Sequence, residues 1–306
     1  MRAAQIRELG AAPEVVDKDG DGAIEVVAVA LNPLDLNVAS GRFYGGHPPF
    51  PYVPGCEAVG RLDGRRLHLF GDARGTGKDG FLQERVDFPD ELAVELPEEI
   101  GDAEAAACGI AGMAGWGPVA WRAPVRPDDR VLVLGATGTV GSVALQGARV
   151  LGAERVVAAG RDEEALERTL ELGADATVTL GADDLAARFR EACGGDGPTL
   201  VVDPLWGEPG RAATEAAAPR ARIVQLGQSA GPEATLLSSV VRGKQLSILG
   251  YTDFILTPED RREIYLGLAE HVAAGRIRFD LETFALDDVA AAWSAQAAGA
   301  KAIVLL

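Results

Sequence analysis

The sequence predicts an α/β protein: a doubly wound parallel sheet inserted in a second, mostly-β domain built from both chain ends. Two observations carry this. From residue 131, short β-branched runs alternate regularly with helical stretches, whereas residues 1–100 and the tail lack that alternation. The first run, 131-VLVL-134, leads into glycines 135, 138 and 141 and then a helical pattern, the layout of a strand–turn–helix phosphate cradle.

In chain order, residues 1–100 read as β structure with many turns. Strands are expected at 24-IEVVAVAL-31 and 66-RLHLF-70, punctuated by Gly/Pro clusters at 45–55 and 71–80. The alanine-rich 102-DAEAAACGIAGMAGWGPVAW-121 reads as helical. Strands then follow at 131–134, 155–159, 176–180, 199–203, 221–226 and 246–250, with helices between them at 139–152, 162–173 and 183–194 among others. Strand and helix alternating with short links imply parallel strands joined by right-handed crossovers. A helix at 258–277, ending at Gly275, a short helix at 287–298 and a last apolar strand at 302–306 close the chain. A cofactor domain is therefore expected over 103–242, and a second domain over 1–102 plus 243–306.

Composition narrows the function classes. With 46 acidic and 29 basic residues the net charge is −17, which repels nucleic acid and anionic lipid. An anionic ligand must be held by local donors and cations. Apolar content of 47%, no secretory signal and no bilayer-length apolar run suggest a soluble, cytoplasmic protein. Cys56, Cys108 and Cys193 form no C-x-x-C pair, so neither a disulfide framework nor a four-cysteine zinc lobe is expected.

The glycines stand as G-x-x-G-x-x-G, and the dinucleotide fingerprint G-x-G-x-x-G fits only as 136-ATGTVG-141, with alanine first. Gly135 and Gly138 let the backbone approach a pyrophosphate, and the helix start at Thr139 and Val140 offers free N–H groups. A fold preferring NAD ends its second strand on Asp or Glu. Here 158-AAG-160 is followed by Arg161, whose guanidinium can clasp a 2′-phosphate, so NADPH is expected. The rival, Asp162, is more simply the N-cap of the next helix. A solvated surface role for Arg161 is the alternative. An atypical short-chain dehydrogenase is disfavoured, because the cradle lies far from the chain start and no tyrosine precedes a lysine by four places.

Several motifs in order resemble the medium-chain dehydrogenase/reductases, and among them the zinc-independent quinone oxidoreductase branch. They are 29-VALNPLDLNVASG-41, 49-PFPYVPGCEAVG-60, 105-AAACGIAGMAGW-116, 136-ATGTVG-141, 201-VVDPLWG-207, 222-RIVQLGQSAG-231 and 299-GAKAIVLL-306. The resemblance implies a Rossmann sheet within a GroES-like catalytic domain, with Leu226, Gly227, Gln228 and Lys301 joining the coenzyme contacts. Zinc-dependent members carry a Cys near 31-LNP-33, a His where this chain has Cys56 and a third ligand where it has Ile110, so no metal ligand is expected. Two departures stand out: the threonine common in the linking helix is replaced around 113-MAGW-116, and the lysine that often follows the second strand is Glu164.

Without a metal, hydride transfer suits an acceptor that already delocalises charge, a quinone or an α,β-unsaturated carbonyl. Asn32 and Tyr44 are the catalytic candidates, with Tyr52 and His47 behind them. A turn-forming Asn before Pro33 accounts for Asn32 as well, and loop position accounts for Tyr44 in 41-GRFYGGHPPFP-51. A coenzyme-binding protein with little turnover, or a reductase dedicated to one biosynthetic pathway, are the other readings. The apolar strand 246-LSILG-250 is expected at a sheet edge, pairing two subunits. The acidic run 17-DKDGDGAIEVVA-28 lacks the closing glutamate of a calcium loop and reads as a hairpin turn, and 72-DARGTGKD-79 is only a partial P-loop.

Overall fold

The computed structural model describes residues 1–306. The chain divides into two compact units, Met1–Ala111 with Leu256–Leu306, and Gly112–Ile255. These bounds correct the expected ones. Strand Ser247–Gly250 pairs in parallel with Arg222–Gln225, so it belongs to the inserted unit and carries the boundary past 242.

The inserted unit is the doubly wound sheet. Its strands lie in the order Ala176–Thr179, Arg155–Gly160, Arg130–Leu134, Leu200–Asp203, Arg222–Gln225, Ser247–Gly250, and every neighbouring pair is parallel. Numbered along the chain this is 3-2-1-4-5-6, the order that reverses direction between Arg130–Leu134 and Leu200–Asp203. The central strands have no polar alternation because both faces are covered: Val131, Leu132, Val133 and Leu134 are all 0% exposed. Phe189 and Cys193, from helix Leu185–Cys193, and Ala212, Ala213 and Ala216, from helix Gly207–Ala216, pack into the same core as Leu132, Leu134, Val157 and Val201.

The other unit is mostly antiparallel. Its main sheet runs Leu281–Ala285, Lys301–Leu305, Ile24–Ala30, Glu57–Leu62, Arg65–Phe70, Val94–Glu95, and Arg85–Val86 also pairs with Ile24–Ala30. A separate two-stranded sheet joins Arg2–Gln5 to Glu14–Asp17. Residues 18–23 therefore link two sheets and do not close the expected hairpin. Val26, Val29, Ala58, Leu67, Leu69, Phe81, Leu82 and Val304 form its core. Each fully buried branched or aromatic side chain there contributes about 1.5–3 kcal/mol.

The alanine-rich stretch is helical but broken. Gly109 takes ψ −123, and helix Asp102–Ala107 passes through a wide turn at Cys108–Gly112 before Met113–Gly117. Only glycine fits at the break, because a Cβ on Gly109 would fall 1.7 Å from the buried Glu57 carboxylate.

Candidate functional site

In the inserted unit the cradle is built from the end of the first strand. Gly135 turns the chain at φ +63, Ala136 N–H donates to Ala159 O at 3.0 Å, and Gly138 becomes the N-cap of helix Thr139–Val150. Gly141 closes the turn against the strand. A Cβ there would lie 2.2 Å from Gly135 O, so no larger residue fits. Thr137 and Gly138 are exposed and Thr139 and Val140 half-buried. The first-turn N–H groups have no partners inside a helix and face outward with its partial positive charge.

The second strand ends at Gly160, and the four residues after it divide sharply in their roles. Asp162 accepts from Ala165 N–H at 3.0 Å, capping helix Glu163–Glu171. Glu163 accepts from the Thr179 hydroxyl at 3.4 Å, and Glu164 pairs with Arg168 at 3.2 Å. Arg161 is exposed and makes neither a hydrogen bond nor an ion pair. It lines a cavity of about 660 Å³ with Leu180, Leu205, Pro209 and Ala212, while Arg211, in the same wall, is committed to Glu208 and Glu215. The lining comes from loops at the carboxyl ends of the strands and from helix Gly207–Ala216, where open α/β sheets take their ligands.

On the fifth strand, Leu226 N–H donates to Asp203 O at 3.0 Å and Gln225 Nε2 donates to Gly227 O at 2.7 Å. Gly227 passes so close to the neighbouring loop that a Cβ would meet Pro204 O at 2.3 Å. Gln228 is exposed.

In the other unit the structure gathers a buried polar knot that sequence reasoning found only in part. Asn32, 1% exposed, donates from Nδ2 to Ala30 O at 3.1 Å and to Glu57 Oε1 at 2.7 Å, and its Oδ1 accepts from Lys301 Nζ at 2.8 Å. Both amide hydrogens are spent, so Asn32 is placed as a structural node, not as a donor to a substrate oxygen. Lys301, expected at the coenzyme, is 3% exposed, donates also to Leu31 O at 2.9 Å, and stands 3.8 Å from Glu57. Its ammonium is committed to the interior of its own unit, and burial lowers its pKa.

Glu57 completes the knot by accepting from Ile110 N–H at 2.5 Å, with His68 Nε2 at 3.4 Å. Asp35 accepts from Asn32 N–H at 2.8 Å and Cys56 N–H at 2.9 Å, and burial pushes its pKa up to about 6. Asp35, Glu57 and His68 were not singled out, although Asp35 and Glu57 stand within the quoted motif segments 29–41 and 49–60. The only signal of His68 is a polar residue inside an apolar strand.

Tyr44 is 91% exposed, touching the Phe43 ring at a centroid distance of 4.6 Å. His47 stacks on Phe50 at 4.6 Å, and Tyr52 is buried with its hydroxyl unpartnered. Cys56 and Cys108 are buried, and burial raises both thiols well above the usual range. No three His, Cys, Asp or Glu side chains are arranged to hold a metal ion.

A family model described as zinc-binding dehydrogenase matches residues 139–268. A phenolphthiocerol/phthiocerol polyketide synthase of Mycobacterium tuberculosis is 28% identical over 90% of this chain, which spans only 13% of that relative's length. The quinone oxidoreductase of Pongo abelii is 26% identical over 91% of this chain and 88% of its own. Among solved structures, the quinone oxidoreductase of Thermus thermophilus, studied also with NADPH, superposes over 100% of both chains with a TM-score of 0.82 and 29% identity. In sequence and in fold the chain is thus similar to the medium-chain dehydrogenase/reductases, quinone oxidoreductases among them. The metal in the family model's description does not fit the donors present here, because Cys56 and Cys108 are both enclosed and neither belongs to a set of three potential ligands.

Proposed function

We propose that this oxidoreductase uses NADPH to reduce a quinone or an α,β-unsaturated carbonyl by hydride transfer, without zinc. The observation that carries the coenzyme choice is Arg161. It is the cavity-lining cation with no carboxylate partner, although three acidic residues follow it directly. A 2′-phosphate supplies the anion that the fold withholds. The backbone at Gly135, Gly138, Thr139 and Val140 would hold the pyrophosphate, and Leu226, Gly227 and Gln228 would flank the nicotinamide side.

The coenzyme supplies the hydride; the chain has to orient the acceptor and deliver a proton. An acceptor that spreads charge over a conjugated oxygen needs no Lewis acid, which agrees with the donor set. Tyr44 is the proposed proton donor to that oxygen, with water as its substitute. Asn32 and Lys301 act as positioning residues, holding the turn before helix Pro33–Ala39. The likeness to quinone oxidoreductases supports a free quinone; the likeness to stretches of polyketide synthases supports an enone in a biosynthetic setting.

The test is NADPH consumption with a panel of quinones and enones, with and without a zinc chelator. Turnover untouched by chelation is expected. Turnover that needs zinc overturns the proposal, and tight NADPH binding with no turnover of any acceptor points to a coenzyme-binding protein.

A further inference from the structure

The fourth strand ends on a carboxylate with no place in the scheme above. Asp203 is 0% exposed. Its Oδ1 accepts from Leu205 N–H at 2.9 Å and from Trp206 N–H at 2.7 Å. Its Oδ2 is enclosed without a partner, and a Cβ on Gly210 would come within 2.5 Å of it.

The turn held in this way is strained. Trp206 takes φ 55 and ψ −148, close to a region that is essentially restricted to glycine. Such a conformation persists only where the surroundings dictate it. Here two short hydrogen bonds to one buried carboxylate oxygen do so.

What the turn supports is the ligand-facing edge of the sheet. Leu205 lines the cavity, and the space beside Gly135 is closed by the Leu205 side chain, 3.1 Å from where a Cβ would stand. Ala230 N–H donates to Leu205 O at 2.8 Å, and the Ser229 hydroxyl donates to Pro204 O at 3.3 Å. Ser229 and Ala230 line the cavity too. The cradle at 135 and the loop after the fifth strand therefore both rest on residues 204–206.

We infer that Asp203 is a positioning residue for the coenzyme: it pins the strained Leu205–Trp206 turn against which the glycine cradle and the 226–230 loop are set. The inference rests on the coenzyme binding proposed above. It differs from the role of Arg161 in one measurable respect: Asp203 touches no feature that separates the two coenzymes, so its loss weakens both alike.

The experiment is direct titration of NADPH and of NADH against the purified full chain and its variants, with melting temperature measured in parallel. Asp203→Ala is expected to raise both dissociation constants at least tenfold and to leave their ratio within a factor of about two. Asp203→Asn, which keeps an acceptor for the two N–H groups, is expected within threefold of the parent. Trp206→Gly removes the need to enforce a positive φ, so the double variant Asp203→Ala/Trp206→Gly should bind more tightly than Asp203→Ala alone. A merely structural carboxylate would lower the melting temperature of Asp203→Ala and leave the affinity of the folded protein unchanged, which overturns the inference. If Asp203→Ala does not fold, Gly210→Ala reads the same link, since its methyl presses on Oδ2. A tenfold loss for both coenzymes supports the inference and unchanged affinity overturns it. A parent chain that binds neither coenzyme defeats the proposed function itself, a result distinct from either.

Discussion

Arg161 owes its availability to its neighbours. Asp162 caps a helix, Glu163 takes a hydroxyl and Glu164 pairs with Arg168, so three adjacent carboxylates leave the guanidinium alone. Arg161→Ala is expected to weaken NADPH roughly ten- to a hundredfold more than NADH, the equivalent of about 1.5–3 kcal/mol for a charge-assisted hydrogen bond. Titration of both coenzymes against the variant checks this, and equal losses would remove the 2′-phosphate from its role. Asp35 makes a second prediction, in stability. Its folded pKa, about 6, lies above the ordinary 3.8, so between those values the folded chain keeps a proton that the unfolded chain has lost. Stability from this group is full below about pH 4, falls as pH rises towards 6 and is level above it, a change on the order of 3 kcal/mol. Urea midpoints of the parent and Asp35→Asn from pH 4 to 7 should diverge across that window. Parallel curves would show that the carboxyl titrates normally.

At the scale of elements, the cradle is the part on which the chemistry depends most. Gly141 sits where any Cβ would meet the Gly135 carbonyl, so Gly141→Ala must push the helix off the strand. A cost of about 1–3 kcal/mol is expected, as for other overpacked sites, with weakened binding of both coenzymes. A variant that melts and binds like the parent would show that the turn gives freely. This element was legible because apolar run, glycine spacing and helical period all lie within about twenty consecutive residues. The six parallel strands were legible for the same reason, each being a short apolar run between helical stretches, and the central ones Arg130–Leu134 and Leu200–Asp203 are buried on both faces. Glu57–Leu62 was read only as part of a turn, since Gly55 and Glu57 mask a strand paired on both sides. Leu281–Ala285 went unread because it pairs at a sheet edge and shows little apolar patterning. The Asn32–Glu57–Lys301 knot was invisible for a different reason. Its members are 25 and 269 residues from Asn32, and only the fold makes them neighbours.

For the whole molecule, the open question of assembly comes down to one strand. Ser247–Gly250 is the last in its sheet, as the sequence suggested, and it leaves one side of its backbone without a ladder partner. Ile248 on that strand is 39% exposed and Leu237, in the same unit, 51%. Natural sheets blunt such an edge with charge, proline or a covering segment, yet 246-LSILG-250 contains neither charge nor proline. A second copy of the chain, related by a two-fold axis, would cover it by pairing like strand with like strand, since an isologous contact places each residue opposite its own counterpart region. The net charge of −17 opposes association at a distance, so apolar contact and backbone pairing have to supply the attraction, and added salt should strengthen the dimer. Light scattering at rising concentration is expected to give twice the mass of 31.9 kDa. Ile248→Lys would set two ammonium groups near one another across the axis and should yield monomers, because like charges facing across a strand pair repel. That variant should still bind NADPH, as Ile248 is not among the residues lining the cavity. A parent chain that remains monomeric at high concentration and high salt would leave the strand as an exposed edge and refute the dimer.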